Sequence, residues 1–275
     1  MSAAWWAGSS EAWWAASYTT SSLLTSDVYG RGTPVTRPRP TDAPHPAAPT
    51  ASVTYTPATP GELPQSIPVS APAPSAAPAA KAKTDAELAG LLVTQAELAD
   101  HQFAAVPSTE VAIGSAAASD KAACQPVVKT QGTVTVGEAL GVARTKAVAK
   151  PKEGASGLEA LGATRTSVTL SSYDGKGAEE AFAAIKAAAT ACAGGFTLTM
   201  EGETTKIEKV TSTDAPIGDE AIALTLEADV EGEKVTSETV VVRKGNTLAT
   251  HTASSLAGVA DKPTVVVAAQ VKKLG

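Results

Sequence analysis

The chain has 275 residues with a formal net charge of −6, and 43% of its residues are hydrophobic but only 4% are aromatic. A net negative charge without basic blocks argues against a nucleic-acid partner and against binding to an anionic membrane surface. No run of about 18 apolar residues predicts a transmembrane helix. Alanine and valine must therefore fill most of the interior.

Residues 1–32 contain all 4 tryptophans, in the near-repeats AWWAGS and AWWAAS. Trp6 and Trp13 are seven residues apart and would share one face of a helix, as in an anchor at a membrane interface. Such helices usually carry Lys or Arg on their polar face, and neither residue type occurs before Arg31. We therefore expect this segment to be disordered or to come from a misassigned start.

Residues 33–83 form a linker rich in proline and alanine, and most of the chain's 18 prolines lie between Pro34 and Pro78. Proline removes backbone donors and favours extended polyproline II, and few large apolar groups offset the entropy of ordering. The segment could also be a proline-rich ligand for a partner module. A tether between an anchor and a domain is the favoured interpretation.

Residues 84–275 are predicted to form one folded domain, which opens with helix-capping signals. Thr84 or Asp85 can cap a first short helix, since side-chain oxygens satisfy free amides at a helix start. Thr94 with Glu97 matches a capping box and predicts a second helix.

The next part of the domain is less regular. A further helical segment is expected around Cys124, begun by Ser119 or Asp120. From 133 to 161, glycines and prolines interrupt any period, so no element is assigned there.

The second half of the domain shows clear periods. Residues 164–170 alternate as in a half-buried strand. A helix follows in which Phe182, Ile185 and Cys192 fall on one face, and Gly194 ends it.

Strands and a closing helix complete the domain. Strand patterns occur at 196–200, 206–211, 222–226 and 240–242, and Gly245-Asn246 is a hairpin signal leading to a further strand. Pro263 suits the start of a C-terminal helix that ends in lysines. These elements predict an α+β fold, with an antiparallel β-sheet meander packed on one side by helices.

Cys124 and Cys192 are the only 2 cysteines of the chain. A single disulfide bond is the favoured interpretation, and it would place the domain in an oxidising compartment. The alternative is two buried free thiols, since cysteine is commonly buried. A secretory signal needs a basic start and an apolar core, and residues 1–30 have neither. Either the protein is cytoplasmic or its true start differs from Met1, and the second explanation is favoured.

Catalytic and metal-binding motifs are scarce. His45 lies in the linker, and His101 and His251 have no cysteine or carboxylate at a ligand spacing, so no metal and no cofactor is expected. His251 is expected to be an exposed strand residue. Nucleophile-elbow, Walker and dinucleotide-binding motifs do not occur in the sequence, and we expect no enzymatic activity.

Two carboxylate pairs have structural explanations. Asp219 and Glu220 could form an acid pair in a cleft, but a solvated turn between strands is favoured. Glu179 and Glu180 stand at a helix start, where the helix dipole favours negative charge.

Several phrases together resemble a known family. They are LAGLLVTQAELA, SDKAACQPV, TSVTLSSYDG, AFAAIKAAATACAGGF, APIGDEAIAL and VVVRKGN, followed by a basic C-terminal helix. This layout resembles the PknH-like extracellular sensor domains and the related actinobacterial secreted lipoproteins over about residues 85–275. The resemblance implies a secreted α+β domain with an antiparallel sheet, a groove for a small ligand, and a bond between Cys124 and Cys192. Kinase sensor domains of this type tend to have a second bridge and a membrane anchor or lipobox, which this sequence lacks.

The favoured function is therefore a non-catalytic extracellular or cell-surface domain that senses or binds a small or cell-envelope ligand. Its groove is expected between the sheet and the helix that carries Phe182 and Ile185. Any contact with the membrane would run through an anchor that this sequence does not contain. The alternative is a structural or interaction protein of the cell envelope, and an enzyme of unrecognised type comes third.

Overall fold

The computed structural model describes residues 81–150, 162–256 and 258–275. The predictions for segment 1–32 and for nearly all of the linker 33–83 therefore lie outside the described residues. No helix among the described residues is long and apolar enough to cross a membrane.

The described chain builds one nine-stranded sheet in which all neighbouring strands are antiparallel. Its order is β1-β3-β4-β9-β8-β7-β6-β5-β2, so the last five strands form a meander that closes against β4. The strands are β1 (His101–Ala104), β2 (Ala118–Ser119), β3 (Gly141–Ala149), β4 (Arg165–Ser172), β5 (Phe196–Met200), β6 (Glu203–Asp214), β7 (Glu220–Val230), β8 (Glu233–Lys244) and β9 (Thr247–Ser254). The predicted α+β class with an antiparallel sheet is confirmed.

Within residues 81–150, 162–256 and 258–275, five α-helices accompany the sheet. They are α1 (Asp85–Leu91), α2 (Ser108–Ala116), α3 (Gln125–Gln131), α4 (Gly177–Ala191) and α5 (Thr264–Leu274). A short 3-10 helix, Ala122–Cys124, precedes α3. The predicted capping box of α1 is present, because Glu87 N donates to Thr84 Oγ1 at 3.3 Å and Thr84 N donates to Glu87 Oε2 at 2.7 Å. The closing helix also forms, with Lys272 and Lys273 in its last turn.

The second predicted helix is absent, because the segment after Thr94 forms only turns before β1 begins. The capping bonds themselves exist, since Thr94 N donates to Glu97 Oε2 at 2.8 Å. Glu97 also pairs with Lys273 of α5 at 3.0 Å. This box therefore closes a turn and fixes it to α5, and the expectation of a helix was wrong.

Helices cover both faces of the sheet, and the prediction that they pack on one side is corrected here. Helices α3 and α4 pack on the face that presents Leu224 and Val241. Helices α1 and α5 lie on the opposite face, against residues such as Leu170 and Val242. Consecutive valines of β8 are buried on both sides, which produces the continuous apolar run typical of a doubly covered strand.

Cys124 and Cys192 are joined by a disulfide bond, with 5.8 Å between their Cα atoms. Both cysteines are fully buried in the core between α3, α4 and the sheet. The bond ties the start of α3 to the end of α4. It therefore fixes α3, which forms one wall of the cavity described next.

Candidate ligand-binding site

A cavity of about 170 Å³ lies between the sheet and helices α2 and α3. Its floor is the sheet face that α4 also covers, and seven strands contribute to it. Pockets for whole drug-sized ligands span roughly 300–1,000 Å³. A smaller ligand, or one apolar group of a larger ligand, therefore fits the space.

One end of the cavity is mainly apolar. Strands β5 to β8 supply its floor, with the side chains of Leu198, Met200, Ile207, Leu226, Ala228 and Val235. Five of these side chains are buried, and Met200 is half-buried. Glu203 and Thr205 of β6 also line this end. Apolar surface that lines a cavity favours an apolar ligand, because binding removes that surface from water.

The other end is polar, because strands β3, β4 and β9 place cations and hydroxyls there. Lys146 comes from β3, Arg165 and Ser167 come from β4, and Thr252 and Ser254 come from β9. The sheet order puts these three strands on one side of β8 and strands β7, β6 and β5 on the other. The cavity therefore has its cations at one end and most of its apolar side chains at the other.

Glu110 and Lys146 form a buried ion pair at the polar end. The exposed fraction of the side chain is 5% for Glu110 and 15% for Lys146. Burial raises the pKa of Glu110, and its hydrogen bond and charge attraction to Lys146 oppose that rise. Only Glu110 and Gly114 of α2 are buried, so this pair is a principal link between the helix and the sheet.

Gly114 and Gly132 bring α2 against the end of α3. A Cβ atom on Gly132 would lie 2.7 Å from Gly114 Cα, closer than Cβ atoms approach other atoms in proteins. Both residues line the cavity. Any larger side chain would separate the two helices, so the sequence needs glycine at both positions to close this wall.

Thr133 follows α3 and lines the cavity in a strained conformation. Its φ is +56°, a left-handed value that β-branched residues rarely adopt. Its carbonyl accepts from Arg144 Nε at 2.8 Å. Its hydroxyl is buried and finds no hydrogen-bond partner among the described residues. Strain and an unpaired polar group at a cavity wall are typical of a functional site.

Gln131 fixes the end of α3 to the sheet. Its Nε2 donates to Thr239 Oγ1 at 2.9 Å, and its Oε1 accepts from Ser237 Oγ at 2.6 Å. Thr252 Oγ1 also donates to the carbonyl oxygen of Thr130 at 2.9 Å. Each bonded side chain reaches α3 from a central strand, so this wall is held by several bonds besides the disulfide.

Phe182 and Ile185 lie in the core between α4 and the sheet, with exposed fractions of 3% and 1%. Neither residue lines the cavity, which lies beneath α2 and α3 instead. The cavity residues come from positions 110 to 254. They are distant in the sequence and come together only when the sheet has formed. No local sequence pattern joins them, so the sequence carries no signal for this site.

The histidines and the acid pair show no metal-binding arrangement. His101 is half-buried at the start of β1, and the predicted exposure of His251 is wrong, since it is fully buried. Asp219 and Glu220 are exposed at the start of β7 and pair with Arg243 at 3.4 and 2.7 Å. No group of three potential metal ligands occurs in the described part of the chain.

No protein-family model matches the sequence, and no curated protein matches it. Among solved structures, the chain is similar to the extracellular domain of PknH from Mycobacterium tuberculosis. The match has 15% sequence identity and a TM-score of 0.40, and it covers 70% of this chain and 97% of that chain. The similarity is therefore a weak one at the level of the fold.

Proposed function

We propose that this protein is a non-catalytic domain that binds a small, largely apolar ligand in the cavity beneath α2 and α3. The observation that carries the proposal is the cavity itself. It combines an apolar floor of about six side chains with polar and charged side chains, which gather mainly at the end formed by β3, β4 and β9. That combination is the usual composition of a ligand site.

The polar groups of the cavity support binding over catalysis. None of the described residues that line it is a histidine or a cysteine. The hydroxyl of Ser237 donates to an amide oxygen of Gln131, which cannot take a proton from it.

The disulfide bond supports a location outside the cytoplasm. Disulfides persist in oxidising compartments and are rare where thiols are kept reduced. The bond between Cys124 and Cys192 lies in the domain core. We therefore place the domain in the extracellular space or at the cell surface, where a cell-envelope component is a suitable ligand.

Thermal denaturation with six-carbon apolar probes tests the proposal. Benzene, cyclohexanol and 1-hexanol match the size of the cavity, since an engineered apolar cavity of about 150 Å³ binds benzene. A probe at about 100 times its dissociation constant should stabilise the fold by about 2.7 kcal/mol. The absence of stabilisation by all three probes would refute the proposal.

A pair of variants locates the binding. Ala228→Phe fills the apolar end, because Ala228 lines the cavity on β7, and it should abolish the stabilisation by probes. Ala223→Phe makes the same change on the same strand, but Ala223 packs against the cluster on the opposite face. The probes should raise the melting temperature of this control variant as much as they raise that of the wild type, each measured from the protein's own melting temperature without probe. Equal responses from both variants would place the site elsewhere.

A further inference from the structure

We propose that α2 is a gate that admits the ligand to the cavity by unwinding, and that the Glu110–Lys146 pair holds this gate closed. The gate rests on the proposed function and adds the route by which a ligand reaches the site. Glu110 and Gly114 of α2 line the cavity together with Ala117, which follows the helix. Unwinding α2 would therefore remove part of the cavity wall.

Helix α2 lies in the middle of a segment that crosses the sheet. This segment begins at β1, on one edge of the sheet, and ends at β2, on the opposite edge. Strand β1 pairs with β3, and β2 pairs with β5. The carbonyl oxygen of Ala117 also accepts from Gln125 Nε2 at 2.8 Å. Both ends of the segment are thus fastened, so α2 cannot swing away from the sheet as a rigid body hinged at one end.

Unwinding lengthens a segment that is fastened at both ends. A helix rises about 1.5 Å per residue, whereas an extended chain rises about 3.3 Å per residue. Four unwound residues, or about one turn, therefore lengthen the segment by about 7 Å. The added length lets the middle of the segment move away from the sheet while β1 and β2 stay paired.

The sequence of α2 gives the helix little stability of its own. It is STEVAIGSA, with 9 residues, whereas isolated helices below about 12–15 residues are marginal in water. Three β-branched residues and Gly114 lower its helix propensity further. No side-chain hydrogen bond caps its start. Helix α2 therefore needs contacts with the rest of the domain to stay helical.

Those contacts are weak for a helix that encloses a cavity. Its buried residues are Glu110 and Gly114 alone, and Gly114 has no side chain to pack. The Glu110–Lys146 pair contributes a charge attraction, but taking two charges out of water offsets much of it. Burial raises the pKa of Glu110 in spite of Lys146, which is the direction expected when that cost is large. Both charges regain water when α2 unwinds, so the pair closes the gate without locking it.

Amide hydrogen exchange of the full chain without ligand, followed by NMR, measures the opening directly. Relative to their intrinsic rates, the α2 amides should exchange at least about 100-fold faster than those of α4, since local opening needs less free energy than global unfolding. Helix α4 has 6 buried residues that tie it to the core. Equal protection of the two helices would refute the gate.

Two glycine variants separate local from global opening. Ala112→Gly changes an exposed alanine inside α2 and should speed the exchange of α2 amides about fivefold, because glycine disfavours a helix interior. Ala183→Gly makes the same change at an exposed position inside α4. It should leave the exchange of α2 amides unchanged. If both variants speed α2 exchange equally, α2 opens only with the whole domain and the gate is wrong.

Further variants test the buried pair. Glu110→Ala should speed α2 exchange at least about fivefold, because it leaves Lys146 without this carboxylate. Glu110→Met with Lys146→Met should slow α2 exchange, since apolar side chains of similar volume often stabilise more than a buried ion pair. Asp214→Ala is the control, because its exposed pair with Lys186 at 2.7 Å lies outside α2. If Glu110→Ala affects α2 no more than Asp214→Ala does, the pair does not hold the gate.

A ligand experiment connects the gate to the cavity. Binding of 1-hexanol is first measured by calorimetric titration. At about 100 times its dissociation constant, 1-hexanol should slow α2 exchange about 100-fold, because the unwound state lacks part of the site. Binding that leaves α2 exchange unchanged would refute the gate and leave the proposed function standing. Absence of binding would instead count against the proposed function, and α2 would then open without admitting this ligand.

Discussion

Acidification should destabilise the domain through His251, which is fully buried in β9. Its neighbours across the sheet are Val168 of β4 and Val240 of β8. Its Nδ1 lies 3.2 Å from the carbonyl oxygen of Val240, and its Nε2 has no partner among the described residues. Burial lowers the pKa of His251 to about 4, and the hydrogen bond to Val240 only partly opposes this.

The sign and size of the effect follow from linkage. The unfolded chain protonates His251 near pH 6.5, whereas the folded protein does so only near pH 4. Between these values the unfolded state binds more protons, so the free energy of unfolding falls as the pH falls. A pKa difference of about 2.5 at about 1.4 kcal/mol for each pKa unit gives a total of about 3–4 kcal/mol. Between pH 7.5 and pH 4.5 the expected loss is about 2–3 kcal/mol.

Urea denaturation at pH 7.5, 6.5, 5.5 and 4.5 measures this loss in the wild type and in His251→Leu. Hydrogen bonds from Thr94 lower the pKa of Glu97 to about 2. The protonation of Glu97 therefore also changes on unfolding. Its contribution is common to both proteins and cancels in the difference. His101→Leu controls for the loss of a histidine elsewhere in the sheet. If the wild type and His251→Leu lose stability in parallel, the buried neutral histidine is not the cause.

Three further predictions concern the disulfide, the linker and the cavity wall. Replacing both cysteines by alanine should lower the free energy of unfolding by about 4 kcal/mol, since the bond closes a 68-residue separation; a loss below 1 kcal/mol in urea titrations would contradict this. A chain starting at Lys81 should melt within error of the full chain, because proline-rich sequence buries too little surface to stabilise a fold; a drop of several degrees would mean that the preceding segment docks. Gly114→Ala should weaken 1-hexanol binding at least tenfold by pushing α2 from α3, whereas Gly90→Ala, with no atom near its Cβ position, should leave binding unchanged in the same titration.

The sequence predicted those helices and strands in which hydrophobic residues recur at the regular spacing of a buried face. Helix α4 was found because Phe182, Ile185 and Cys192 recur on one face, and all three are buried. Strand β4 was found because its inward and outward residues differ. Strand β3 was missed although its burial alternates from Gly141 to Ala147. Its buried residues are small or polar. Buried and less buried positions therefore alternate along the strand, but hydrophobic and polar residues do not.

The cavity could not be predicted for a different reason. Helix α2 has little apolar asymmetry, and no side-chain hydrogen bond caps its start. Its position depends on Glu110 reaching Lys146 of β3 and on Gly114 meeting Gly132. These are contacts between distant parts of the chain. A pattern within one element cannot reveal them. The sequence analysis placed the groove beside Phe182 and Ile185 because the amphipathic period of their helix is visible in the sequence.

The two walls of the cavity are held in physically different ways. The α3 wall is fixed by the disulfide and by the bonds of Gln131 to two strands. The α2 wall buries only Glu110 and Gly114. A helix with so little buried surface adds little to the free energy of folding, but it encloses the polar end of the cavity. Changes in α2 should therefore act on ligand affinity more than on stability, whereas changes at Gln131 should reduce both.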